Sequence, residues 1–217
     1  MRGRLGKGCG FTLIELLVVI TVMSILAGTM VPLATATQKA QQLDRAKREL
    51  DDIAEAMEAY YYDNGSFPAS LNDSSFYGVY ILPGVGDEKL EDEWGGKGFY
   101  KLSQTSNPDV LTVYSVGPDG VDSGASSETL KVTIQGADPG LEKTRERLRV
   151  IAAVLAEYLS GGGTLTGTWT TDLSAMGLGT AYQKDGFGTD FTLNASTRVL
   201  TSAGPDRTFG TSDDFVF

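Results

Sequence analysis

From Phe11 to Val31 the chain runs 21 residues with a single charged position, Glu15. After Pro32 the pattern becomes amphipathic. Leu43, Ala46, Leu50, Ile53, Ala54, Met57 and Tyr60 recur at three- and four-residue steps. Between them stand Asp44, Arg45, Lys47, Arg48, Glu49, Asp51, Asp52, Glu55 and Glu58. One apolar stripe with a charged opposite face is the signature of a helix lying on a core. The two patterns join into one predicted helix from about Thr12 to Tyr62. It is expected to bend near Pro32, whose missing N–H weakens the hydrogen-bond ladder, and to end at Asp63-Asn64-Gly65.

Beyond it, Gly-, Pro- and Ser-rich segments separate short runs of alternating β-branched or aromatic residues at Phe99–Leu102, Val110–Val116 and Leu130–Ile134. These read as strands of a small antiparallel sheet whose apolar face needs the helix as cover. Gly136-Ala137-Asp138-Pro139-Gly140 marks a break, and a second cycle follows. Leu141, Leu148, Ile151, Ala152, Leu155 and Tyr158 stand 98 positions after Leu43, Leu50, Ile53, Ala54, Met57 and Tyr60. Asp92-Glu93-Trp94-Gly95 returns as Asp185-Gly186-Phe187-Gly188, with Trp94 and Phe187 as expected core anchors. Tyr114-Ser115-Val116-Gly117-Pro118-Asp119 returns as Thr201-Ser202-Ala203-Gly204-Pro205-Asp206. Three segments in the same order indicate an internal duplication. The expected fold is α+β: a long N-terminal helix on a small antiparallel sheet, then a second helix-plus-sheet copy. The expected division is residues 1–10, 11–32, 33–135 and 136–217.

The apolar segment is about 31 Å long as a helix, at about 1.5 Å per residue, which matches a hydrocarbon core of about 30 Å. Arg2, Arg4 and Lys7 precede it with no acid, which places its start on the cytoplasmic side and the remainder outside. A carboxylate at that depth requires a partner or a proton. Three other readings compete, among them a buried helix of a soluble domain, which the lack of a polar face disfavours. An ordinary secretory signal would end at Ala34-Thr35-Ala36, but its apolar centre would be too long and would contain Glu15. A plain membrane anchor would fit the length alone.

The basic leader, the Gly10-Phe11 junction, Glu15 and the apolar run together resemble the N-terminus of type IV pilins and of the pseudopilins of type II secretion. The resemblance covers roughly residues 6–35. It implies cleavage by a prepilin peptidase between Gly10 and Phe11, N-methylation of Phe11, and a helix bend at Pro32. Cleavage would create a cationic amine on Phe11. Glu15 of one subunit is then expected to pair with the Phe11 amine of a neighbour, in the membrane and in a filament.

Charge and composition narrow the chemistry. The 217 residues carry a net charge of −10, and loss of the leader with its three basic side chains would take it to −13. That acidity excludes nucleic acid as a partner, because phosphates need Lys and Arg, and it suits calcium. Cys9, in the leader, is the one cysteine, so the mature chain would have no disulfide. With no histidine, Ser-His and Cys-His catalysis and His-ligated zinc are excluded. Nothing marks a carboxylate pair for hydrolysis, and the chain reads as a non-enzyme.

Asp206, Asp213 and Asp214 bracket a glycine-containing loop. Calcium takes six to eight oxygen ligands on such loops. A metal there would offset carboxylate repulsion and pin a strand at Asp214–Phe217. Residues 185–217 resemble the C-terminal region of the major pseudopilin, whose calcium loop spaces its acids in this way. The resemblance also implies a backbone carbonyl ligand near Ala203. The alternative is an acidic turn cluster without metal. In the first copy Asp119 is followed at the corresponding positions by Ser126 and Ser127. Asp122 and Glu128 stand nearby, so a weaker site or a loop held by hydrogen bonds alone is expected.

The resemblance implies a pseudopilus subunit acting in protein export. It would be anchored by a single pass in the cytoplasmic membrane, with both α+β domains outside. Its partners would be copies of itself or other pseudopilins, the peptidase and secretion platform proteins. The alternatives are a type IV pilus subunit for adhesion or motility, and a membrane-tethered calcium-binding module that does not assemble.

Overall fold

The computed structural model describes residues 12–82, 92–94 and 100–217, and within the first helix it does not describe the side chains of residues 27–34. Contacts divide the chain into two compact units, residues 1–44 and 45–217. The first is the N-terminal part of α1, a helix over Leu13–Asn64. From Leu13 to Leu26 its apolar side chains are all exposed. The helix continues through position 32; the side chain of Pro32 lies outside the described residues. Among the described residues no helix is long and apolar enough to cross a membrane.

In the second unit, α1 presents Ala46, Leu50, Ile53, Ala54, Met57 and Tyr60 to a core. Leu43, expected on the same stripe, is 38% exposed, because burial begins only one turn further on, at Ala46. The helix stops where Gly65 adopts φ +72° and donates its N–H to the Tyr61 carbonyl, 2.7 Å away. Glycine reaches that left-handed conformation without a Cβ penalty.

β1 (Lys101–Thr105), β2 (Val110–Tyr114) and β3 (Lys131–Gln135) form an antiparallel sheet in the order β1-β2-β3. Leu111 lies opposite Ile134, and Val113 lies opposite both Leu102 and Val132. Leu111, Val113 and Ile134 join the α1 stripe in one cluster. Full burial of such a side chain contributes about 1.5–3 kcal/mol. Phe76 closes the cluster edge-on to Tyr60, with ring centroids 5.7 Å apart. Trp94 packs half-buried on the cluster; Phe99, expected in the first strand, lies outside the described residues.

α2 (Ala137–Ser160) opens the second half, with Leu148 and Ile151 buried. Tyr158, expected as its last anchor, is half-buried and donates to the Thr164 carbonyl. β4 (Thr192–Asn194), β5 (Val199–Ser202) and β6 (Phe215–Val216) form a second antiparallel sheet, in the order β4-β5-β6. Between α2 and this sheet in the chain lies α3 (Trp169–Ala175), absent from the sequence reading. Asp172 reaches back to accept from the Thr166 N–H, the Thr166 hydroxyl and the Gly167 N–H, at 2.7, 2.8 and 3.0 Å. That fastens the start of a helix too short to hold itself. Trp169 and Leu173 then join Leu148, Ile151, Phe191, Leu193 and Leu200 in a second core cluster.

The two halves touch closely within the second unit. Lys143 of α2 donates to the carbonyls of Tyr62 and Asp63, the end of α1 that lacks intrahelical partners. Tyr62 donates to Glu146, and that hydrogen bond pushes its hydroxyl up to about 12. A Cβ on Gly136 would fall 2.6 Å from the Tyr61 ring, so only glycine fits there.

One hydrogen-bond pattern occurs in both halves. Ser115 donates to buried Asp92 at 2.9 Å, and Ser202 donates to buried Asp185 at 2.6 Å. Each serine oxygen also accepts a glycine N–H two residues on, from Gly117 and from Gly204. Those glycines have φ of +73° and +68°. Asp119 then accepts from the Val121 N–H, and Asp206 from the Thr208 N–H.

Candidate functional site

The N-terminal motif begins as a capping box. Thr12 stands just before α1, and Glu15 is its third helical residue. The Glu15 carboxylate accepts from both the N–H and the hydroxyl of Thr12, each at 2.9 Å, and the Thr12 oxygen accepts the Glu15 N–H at 3.4 Å. This reciprocal arrangement satisfies backbone donors that a helix start leaves open. The sequence reading missed it, although Thr-x-x-Glu is legible in residues 12–15. Glu15 is exposed and flanked by exposed Leu13, Ile14, Leu16 and Leu17. Gly10 and Phe11 lie outside the described residues.

The C-terminal acidic loop closes on itself. The Asp206 N–H donates to the Asp213 carboxylate at 3.1 Å. Gly204 lies so close to Asp213 that a Cβ would sit 2.2 Å from its carbonyl oxygen. The Thr211 hydroxyl lies 2.5 Å from Asp213 and 3.4 Å from Asp214. Its bond holds the Asp213 carboxyl below the usual range; desolvation opposes the effect, and the Asp206 N–H adds to it. Asp214 accepts from the Gly210 N–H at 2.8 Å. The donor set of carboxylates, hydroxyl and carbonyls is that of a hard cation such as calcium. Among the described residues, no three acidic side chains converge as a metal-holding group. The loop therefore has the right donor chemistry, with its carboxylates turned onto its own N–H and O–H groups.

The corresponding loop of the first half is built differently. Asp122 accepts from the Gly124 N–H at 3.1 Å and pairs with Lys101 at 3.4 Å. Both hold its carboxyl below the usual range, the Gly124 contact most. Glu128 accepts from the Ser123 N–H at 2.9 Å, and Asp119 from the Val121 N–H at 3.1 Å. The Lys131 ammonium donates to the carbonyls of Ala125 and Ser126 at 2.8 and 3.0 Å. Two lysines thus supply positive charge to the first loop. Among the described residues no ammonium or guanidinium is bonded to Asp206, Asp213 or Asp214.

Residues 7–31 match the family model described as a prokaryotic N-terminal methylation motif. The chain is similar to the type II secretion system core protein G of Pseudomonas aeruginosa. The two are 28% identical over 132 residues, which is 55% of this chain and 89% of the relative. The core protein G of Pectobacterium carotovorum is 26% identical over 52% of this chain and 77% of its own length. That of Vibrio cholerae is 24% identical over 56% of this chain and 88% of its own length. No solved structure matches the chain. The methylation motif at its start, the core protein G relatives over about half its length and an α+β body of long helix and antiparallel sheet make the chain similar to the major pseudopilins of type II secretion.

Proposed function

We propose that this chain is a structural subunit of a type II secretion pseudopilus, with a mechanical rather than a catalytic role in protein export. The observation that carries the reading is the apolar, exposed surface of α1 from Leu13 to Leu26, which lies within the methylation motif matched over residues 7–31. So much apolar surface needs lipid or other helices around it. The precursor is anchored by the segment 11–32. Cleavage between Gly10 and Phe11 and methylation of Phe11 release it into a filament, where α1 packs among copies. A head-to-tail contact that does not close on itself generates such a fibre.

Glu15 is central to assembly in this reading. Before processing, Thr12 satisfies its carboxylate; afterwards the Phe11 amine of a neighbouring subunit takes up the pairing. Mass spectrometry of the native N-terminus tests the first step: a methylated Phe11 is expected, and a filament that keeps Met1–Gly10 overturns the proposal. Glu15→Ala is expected to leave the precursor inserted and folded while lowering filament yield; an unchanged yield refutes the pairing.

The two halves are read as a duplication, supported by the recurring Asp–Ser–Gly pattern and by the two three-stranded sheets. The second loop is the one assigned to calcium. Asp206, Asp213 and Asp214 would hold the ion, whereas Lys101 and Lys131 already neutralise the first loop. Calcium is expected to raise the melting temperature of the parent chain and to leave Asp213→Ala unmoved. Equal melting of the parent with and without calcium counts against a structural ion.

A further inference from the structure

The turn that follows Gly117 and Gly204 contains the same backbone position filled by two different residues. In the first half it is Gly120, with φ +66°, whose N–H donates to the Gly117 carbonyl at 3.2 Å. In the second half it is Arg207, with φ +58°, whose N–H donates to the Gly204 carbonyl at 3.1 Å. Glycine takes this left-handed conformation freely; a side chain does so only when its surroundings enforce it. The side chain of Arg207 shows what is gained. Its Nε donates to the Phe187 carbonyl at 2.8 Å. Its Nη2 donates to the Gly65 carbonyl at 3.0 Å and to the Asp109 carboxylate at 2.5 Å.

Those acceptors come from three places. Phe187 belongs to the second half, Gly65 is the glycine that ends α1, and Asp109 precedes β2 in the first sheet. Asp109 is itself buried and accepts from the Tyr61 hydroxyl at 2.9 Å. The guanidinium therefore bridges the end of the first helix, the first sheet and the second half. A planar fork of donors is suited to such divergent acceptors.

We infer that Arg207 is a latch that locks the second half onto the first, and that the acidic loop carrying it sets the strength of the lock. The loop that closes between Gly204 and Asp213 fixes the backbone from which Arg207 reaches out. Anything that orders the loop tightens the docking, and docking in turn favours the ordered loop. The latch itself rests on the hydrogen bonds alone. Its regulation by a cation rests on the calcium reading above.

The test uses the full-length chain in detergent micelles and follows amide hydrogen exchange at Gly65 and at Phe187–Thr189, where the halves meet. Arg207→Gly restores the residue type of the first half, so the turn itself is expected to keep its conformation. Exchange at both sites is nevertheless expected to quicken on the order of tenfold, since a charged multidentate contact is gone. Arg207→Lys keeps the charge, loses the fork and should fall between the two. Asp109→Asn added to Arg207→Gly should change little further, because the pair is already broken. Parental exchange rates in Arg207→Gly and Arg207→Lys overturn the latch. The calcium arm is separate. If calcium slows exchange at Gly65 in the parent but not in Arg207→Gly, the coupling stands. Calcium without effect on the parent, with Arg207→Gly loosened, leaves the latch and removes the ion. Calcium that slows exchange equally in the parent and in Arg207→Gly removes the coupling.

Discussion

Ser202 donates a 2.6 Å hydrogen bond to the buried carboxylate of Asp185, which also accepts the N–H groups of Phe187 and Thr189 at 3.0 and 2.9 Å. One acid thus closes a turn and ties it to β5. Asp185→Ala leaves three donors without an acceptor and is expected to cost about 2–4 kcal/mol. Ser202→Ala removes one bond and is expected to cost about 1–2 kcal/mol. Denaturant melts of the two variants check the order, and a larger loss for Ser202→Ala contradicts it.

Burial raises the Asp185 carboxyl above its usual 3.8, against the opposing pull of the Ser202, Thr189 and Phe187 bonds. An acid with a raised folded value holds its proton more tightly folded than unfolded. Its contribution is therefore full below 3.8 and is lost as pH rises through the raised value. Asp185→Asn does not titrate. The cost of that substitution should shrink as the pH rises from the usual carboxylate value through the raised one. Paired melts across that range give the sign directly, and a cost that grows with pH would be the wrong one.

Gly186 and Gly210 should respond in opposite measure to alanine. A Cβ on Gly186 would meet the Gly140 carbonyl oxygen at 1.9 Å, and backbone there has little room to yield. Gly186→Ala is expected to cost more than about 3 kcal/mol. Gly210, at φ +90°, has open space around it. Its alanine variant bears conformational strain only, about 1 kcal/mol. Similar melting of the two variants would refute the close approach.

Thr12 should matter to the helix start independently of assembly. Thr12→Ala removes the hydroxyl that faces Glu15 and is expected to weaken the first turn by about 1 kcal/mol, with Thr12→Ser near the parent. The Leu16 amide, bonded to the Thr12 carbonyl at 3.2 Å, reports it by exchange. Parental exchange in Thr12→Ala would mean that the cap is idle.

Much of this architecture is local and therefore legible in the sequence. The stripe from Ala46 to Tyr60 and the Asn64-Gly65 stop announce α1, and the alternation at Val110–Tyr114 announces the central strand. α3 escapes such reading because seven residues span barely two turns. Its start is fixed by Asp172 folding back on Thr166, a contact that periodicity does not encode. The acidic loop is visible in the sequence as carboxylates at both ends of a glycine-containing stretch, Asp206 with Asp213 and Asp214. Which way each carboxylate turns depends on Thr211 and on neighbouring N–H groups. Arg207 is the hardest to anticipate. Its partners lie 98 and 142 positions away, and its turn reads as a place for glycine.

The reach of Lys143 onto the last carbonyls of α1 bears on how this chain could be taken apart. A fragment severed before Gly136 retains its own strands but forfeits the ammonium that seals its longest helix and the guanidinium seated on Gly65. Its spine should fray backward from Asn64 toward Tyr60, loosening the aromatic cluster there. Genetic trimming, which beads on a string tolerate, here deletes a helix stop together with the segment removed.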